Sequence, residues 1–196
     1  MQQKIKRNIR IARYVLYKET LVNFHEHFWS FIGSFVGIGI LSFLHYAYFS
    51  PQDAICLIGS FGASSVLVYG AIQSPLAQPR NLIGGHVFSA IVGVAFAKLL
   101  PGNPALAAPF AVSLSIIGMQ ITRTLHPPGG ATALIAVMGS DSIQEMGWWY
   151  VLFPVLSGTL ILFMVALIFN NITVSRCYPT DRRFTRIFKR SVMIGR

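Results

Sequence analysis

A histidine stands before two prolines and two glycines in the string His126-Pro127-Pro128-Gly129-Gly130. An imidazole titrates at roughly pH 6.5, so it can carry a proton or donate a hydrogen bond to an anion. Proline lacks the N–H that a helix interior needs, and glycine is a poor helix former. The string therefore interrupts a helix, and Gly129, Gly130, Ala131 and Thr132 stand where the helix restarts. N–H groups at a helix start carry about half a positive charge and suit an anion. Thr132 adds a hydroxyl donor. Arg123 lies one helical turn before His126, and Gln120 one turn before Arg123, so both are candidates to line the same path. A structural reading stands beside this one. His126 would bond a loop carbonyl that fixes the Pro-Pro turn, and the glycines would let helices pack closely.

A second glycine-rich string, Gly62-Ala63-Ser64-Ser65-Val66-Leu67, resembles Gly130-Ala131-Thr132-Ala133-Leu134-Ile135 at an offset of 68 residues. Gly59 and Gly62 are expected to break the helix around them, so that a half-helix starts near Gly62. It would face the half-helix that starts near Gly130, and the two N-termini would form an anion site with Ser64, Ser65 and Thr132. His86 follows Gly84-Gly85, and Arg80-Asn81 precede it, which makes a second, weaker polar cluster. His25-Glu26-His27 is a poor metal string, because residues two apart point to different helix faces. No Walker loop, GxSxG, HExxH or metal-spaced cysteine set occurs. No enzyme activity, metal or cofactor is expected.

These residues must be held by membrane helices. Of 196 residues, 54% are hydrophobic and only 11% charged, against about 25% charged in soluble domains. The net charge of +10 is concentrated at the ends: six basic residues lie in the first 18 and seven after position 175. That is the positive-inside pattern, which also meets anionic lipid headgroups, and it argues against nucleic acid as a partner. Six apolar segments are read at about 27–49, 54–73, 82–100, 105–123, 127–140 and 148–170. The expected fold is an all-α membrane protein in two three-segment halves, the second inverted relative to the first. Three regions follow: a basic amphipathic interfacial N-terminus over 1–26, a transmembrane domain over 27–172, and a basic cytoplasmic tail over 173–196. Six crossings with both termini cytoplasmic are preferred to four crossings with re-entrant second and fifth segments. Gly33 and Gly37 form a GxxxG that serves either a homo-oligomer or internal packing.

The string Leu125-His126-Pro127-Pro128-Gly129-Gly130-Ala131-Thr132-Ala133 resembles the signature of the HPP family of integral membrane proteins. Supporting strings are Phe61-Gly62-Ala63-Ser64-Ser65-Val66-Leu67, Ser74-Pro75-Leu76-Ala77-Gln78-Pro79-Arg80-Asn81 and Gly84-Gly85-His86. The resemblance covers about residues 25–172. It implies a transporter or channel for a small inorganic anion, nitrite first, because members of the cyanobacterial and chloroplast branch are implicated in nitrite transport. The alternative is a membrane scaffold or interaction subunit without a transported substrate. The family is usually described with four transmembrane helices, which differs from the six segments read here. Without a visible plastid transit sequence, a bacterial inner membrane is expected.

Overall fold

The computed structural model describes residues 24–173 and 175–181. Most of the basic amphipathic N-terminus expected over 1–26 and most of the basic tail lie outside the described residues. The helices are α1 (Phe24–Tyr48), α2 (Pro51–Ser65), α3 (Pro79–Leu99), α4 (Pro104–Ile121), α5 (Pro128–Met138), the short α6 (Asp141–Met146) and α7 (Ser157–Phe169). A π-helical turn, Val66–Gly70, continues α2, and a second π-helical stretch, Val151–Leu156, leads into α7. Within that stretch Phe153 leaves helical geometry, as the residue before Pro154 is biased to do. Five helices are long and apolar enough to cross a membrane: Phe24–Tyr48, Pro51–Gly70, Pro79–Leu99, Pro104–Ile121 and Val151–Phe169. At 11 residues, α5 is too short to do so unaided.

Four helices start on proline, at Pro51, Pro79, Pro104 and Pro128. Proline suits a first turn because its missing N–H would have had no partner there. Ser50 and Asn103 add side-chain caps, accepting from Asp53 N and Leu106 N. By contrast α4 ends on Arg123, whose φ of 57° is left-handed. The amide of Arg123 donates to Gln120 O and that of Thr124 to Met119 O, the paired bonds of a Schellman motif. Helix geometry therefore stops before His126. Arg123 and Gln120 do not stack above His126 on one face, as expected from sequence; both are exposed.

The second segment also departs from expectation. Helix α2 runs unbroken through Gly59 and Gly62. Glycine inside a helix costs only about 1 kcal/mol relative to alanine, whereas a break in lipid strands several backbone groups. The change of geometry comes after Ser65 and keeps helical winding. No half-helix starts at Gly62, and the facing pair of N-termini does not form.

Helix α3 is central and packs on α4, α5 and the stretch before α7. Glycines on α3 and α5 let these two helices approach. A Cβ on Gly93 would lie 2.7 Å from Ala133 O, and one on Gly129 would lie 2.9 Å from Gly85 O. The glycines of α1 have an internal use too. A Cβ on Gly33 would lie 2.7 Å from Tyr69 Cδ1, and one on Gly37 would lie 2.5 Å from the Tyr69 hydroxyl oxygen. That GxxxG seats a tyrosine of the same chain, whose hydroxyl donates to Leu162 O at 3.1 Å.

Two sets of polar contacts close the ends of the bundle. At one, the Asp53 carboxylate accepts from Ser140 N at 3.1 Å, Ser140 Oγ at 2.5 Å and Ser50 Oγ at 2.8 Å. This joins the start of α2 to the turn after α5. Asp53→Ala removes three acceptor bonds from a residue that is 3% exposed. The expected cost is about 1–3 kcal/mol, read as a lower melting temperature in detergent. At the other end Arg176, 1% exposed, reaches Glu26 Oε2 at 2.8 Å, Tyr69 O at 2.7 Å and Asn170 Oδ1 at 2.8 Å. Tyr178 donates its hydroxyl proton to Ala77 O at 2.7 Å, and Thr180 N donates to Gln78 Oε1 at 2.9 Å. The chain after α7 is thus strapped across this end.

Candidate functional site

Five polar side chains meet in the interior where α2, α3 and α5 cross beside the Pro-Pro turn. They are Ser60 and Ser64 on α2, His86 on α3, His126 in the turn and Thr132 on α5. Ser64, His86 and His126 are fully buried, and Thr132 and Ser60 nearly so. In a membrane bundle such groups are costly unless paired, so their pairing is the first question.

Ser60 and Ser64 are one helical turn apart and present both hydroxyls on one face of α2. Ser64 Oγ lies 2.7 Å from His86 Nε2 and 3.0 Å from His126 Nε2, so one hydroxyl bridges two imidazoles. The rings are 5.0 Å apart at their centres. His86 Nδ1 lies 2.7 Å from Thr132 Oγ1, which lies 3.0 Å from Ser60 Oγ. His126 Nδ1 lies 2.9 Å from Leu76 O. Ser64 and Thr132, which match at the 68-residue offset, therefore hold the two nitrogens of one histidine.

The surrounding residues fix the frame. Arg80 donates to Thr122 O at 2.6 Å and Asn81 Nδ2 to Leu125 O at 2.7 Å, which ties the turn before His126 to the start of α3. Tyr150 donates to Thr132 O at 3.0 Å. A Cβ on Gly85 would lie 2.5 Å from His126 Cβ, so only glycine at 85 admits the histidine this close.

The start of α5 differs from the open anion cradle expected. Pro127 and Pro128 have no N–H, Gly129 N donates to His126 O at 2.8 Å, and Gly130 N donates to Pro127 O at 3.1 Å. The donors that face the interior are side chains instead. Of the residues nominated from sequence, His126, His86, Ser64 and Thr132 come together, with Arg80 and Asn81 as supports. Ser65 bonds Phe61 O within its own helix, and Gly62 and Ser65 line a groove against α1 instead. Ala63, Gln120 and Arg123 are exposed, and Ala131 is partly so. Sequence reasoning missed Ser60; its signal was the four-residue spacing to Ser64.

Among the described residues no group of three or more His, Cys, Asp or Glu could hold a metal ion. His25 Nε2 accepts from Trp29 Nε1 at 3.2 Å, an interfacial contact. Cys56 and Cys177 are free.

Two curated transmembrane proteins of Dictyostelium discoideum are 48% and 47% identical to this chain over 154 residues, 77% of its length. The aligned part is 49% and 54% of those proteins, so the chain spans about half the length of the curated relatives it matches. No solved structure matches. The HPP transmembrane region matches residues 19–179, which contain every element described above. The arrangement of imidazoles and hydroxyls around the Pro-Pro turn is thus a feature of a multi-pass membrane protein that belongs to the HPP family.

Proposed function

We propose that the protein moves a small inorganic anion, nitrite first, through the buried site formed by His126, His86, Ser64, Thr132 and Ser60. The observation that carries this reading is the burial of two histidines and three hydroxyls between membrane helices, beside an interrupted span. A chain that needed only to pack would fill this space with apolar side chains at lower cost. Nitrite accepts hydrogen bonds and is the base of a weak acid, so hydroxyls and imidazoles match both of its protonation states. The site is closed in this structure, so transport requires α2 and α5 to part around it. Six crossings fit the contacts best, because successive segment ends alternate between the Asp53 end and the Arg176 end. In that arrangement the extended residues before α5 complete its crossing, and both basic termini face the cytoplasm. The expected bacterial inner membrane draws no support from the curated relatives, which are eukaryotic. Oligomerisation through Gly33 and Gly37 is disfavoured by the tyrosine that fills them.

A structural brace is the competing reading, favoured by the internal partners that every nitrogen and hydroxyl of the cluster already has. His126→Ala separates the two. For transport, nitrite flux into liposomes per folded molecule falls at least about tenfold, as loss of a positioned proton-transfer group would cause. For a brace, the melting temperature falls while the folded fraction behaves as wild type. Normal specific flux in a folded His126→Ala protein would remove His126 from the transport site.

A further inference from the structure

The hydrogen bonds of the buried cluster can be given a direction without reference to any bound ligand. Leu76 O only accepts, so His126 Nδ1 must carry its proton. A neutral His126 then has a bare Nε2, and the one side-chain donor it faces is Ser64. A hydroxyl has one proton to give, so once Ser64 donates to His126 it must accept from His86 Nε2 at 2.7 Å. His86, neutral, is left with a bare Nδ1, which takes the Thr132 proton. Thr132 then accepts from Ser60. Every bond in the chain points the same way, from Ser60 to Leu76 O. The two histidines are held in opposite tautomers.

Two contacts are idle in that state. The Ser64 hydroxyl also lies 3.2 Å from Ser60 O, a carbonyl of its own helix, and gives up that bond in both directions of the chain. Ser60 Oγ lies 3.2 Å from Pro128 O, yet its only proton is pointed at Thr132. The Ser60 contact to Pro128 O is the one that the reversed chain needs. If His126 holds a second proton on Nε2, it donates to Ser64, Ser64 donates to His86 Nε2, and His86 Nδ1–H donates to Thr132. Thr132 then donates to Ser60, and Ser60 donates to Pro128 O. Both polarities satisfy all the groups, and they differ by one proton.

We propose that Ser60, Thr132, His86, Ser64 and His126 form a proton relay, with His86 as the pivot that changes tautomer when a proton is passed. A proton delivered to Ser60 Oγ by the protonated weak acid, which leaves as its anion, releases the Ser60 proton to Thr132. The Thr132 proton moves to His86 Nδ1, the His86 Nε2 proton to Ser64, and the Ser64 proton to His126 Nε2. Four O–H or N–H bonds break and four form within the chain, one proton is added at Ser60, and the charge ends on His126. The relay deepens the transport reading and rests on it for the proton's use: the proton would accompany a weak-acid anion.

The groups around His126 leave its charge state to this chain. His86 faces it from α3, and beyond His86 the Phe61 ring separates it from His45 of α1, with ring centres 5.3 Å and 5.6 Å apart. Tyr150 reaches only the Thr132 carbonyl. Arg80 is exposed and engaged with Thr122 O, Arg123 is exposed on the same turn, and the α4 and α5 helices carry no charged side chain.

Nitrogen NMR of histidine-labelled protein in bilayers tests the relay, because imidazole nitrogens with and without a proton have distinct shifts. The chain has five histidines, and His86→Gln and His126→Gln variants assign the two signals. At high pH the expected result is an Nδ1–H tautomer at His126 and an Nε2–H tautomer at His86. As His126 gains its second proton, His86 changes to the Nδ1–H tautomer over the same pH interval. Ser64→Ala removes the bridging hydroxyl and should abolish the coupled change, Ser64→Thr should restore it, and Thr132→Val should abolish it from the other side. A His86 signal that keeps its tautomer while His126 protonates overturns the relay, as does a His126 that stays neutral down to the pH of unfolding. Nitrite flux measured on the same proteoliposomes separates the two ideas. Coupled tautomers without flux defeat the transport reading alone, and flux with uncoupled tautomers defeats the relay alone.

Discussion

Gly93→Ala is expected to destabilise the protein severely, whereas Gly130→Ala leaves it as stable as before or slightly more so. Both substitutions add one methyl group to a helix, and in both the alanine is the better helix former by about 1 kcal/mol. The difference lies in what the methyl meets. At Gly93 it would lie 2.7 Å from Ala133 O, 2.8 Å from Ala136 Cβ and 2.9 Å from Ala133 Cα. Two of these are backbone atoms of α5, which no rotamer change can move, so α3 and α5 must separate along the whole crossing. Overpacking of this kind costs roughly 1–3 kcal/mol, and a backbone collision belongs at or above the top of that range. At Gly130 the nearest atom is Val112 Cγ1 at 3.9 Å, an ordinary contact. The expected melting temperatures in detergent differ by about 10 °C or more. Equal melting temperatures would mean that α3 and α5 are not pressed together at Gly93.

The same pair of glycines shows what a sequence can and cannot reveal here. The apolar segments were legible because their length and lack of charge are averages over about twenty residues. The Pro-Pro turn was legible because proline removes a donor whatever surrounds it. Glycine is different. Gly59 and Gly62 read as a break, but glycine only permits one, and in lipid the stranded backbone groups oppose it. Conversely the tight approaches at Gly85, Gly93 and Gly129 depend on which helix lies opposite, which spacing along the chain does not report. His86 and His126 are each candidates from sequence, yet nothing over the 39 residues between them says that one serine would join them. Ser60 was hidden for a related reason. A break at Gly59 and Gly62 would put Ser60 and Ser64 on separate segments, whereas the unbroken helix puts them on one face.

Arg176→Met is expected to be among the most destabilising single changes, although charge counting places this residue in a solvated basic tail. Its guanidinium is 1% exposed and donates to Glu26 Oε2, Tyr69 O and Asn170 Oδ1 at 2.7–2.8 Å, with Glu26 O and Ser30 Oγ at 3.2 and 3.3 Å. Tyr69 closes the π-helical turn after α2, Glu26 opens α1, and Asn170 follows α7. One side chain thus joins the ends of three membrane segments, and its positive charge sits where the carbonyls of α2 and α7 run out. Burial pulls the guanidinium below its ordinary pKa, and the neighbouring Glu26 opposes that pull. Arginine remains charged under either influence, and it forms an ion pair with Glu26. Removing the guanidinium leaves Tyr69 O and Asn170 Oδ1 without this donor, each at a cost of about 1–3 kcal/mol, and takes the cation from Glu26, which is 26% exposed. Arg176→Lys should recover little, since an ammonium cannot span three acceptors held in different directions by the planar fork. The double variant Arg176→Met with Glu26→Gln should be more stable than Arg176→Met alone, because it no longer leaves a half-buried carboxylate without its cation. Thermal denaturation of the four proteins in one detergent measures this. If Arg176→Met melts with wild type, the strap after α7 does not hold the three segment ends together.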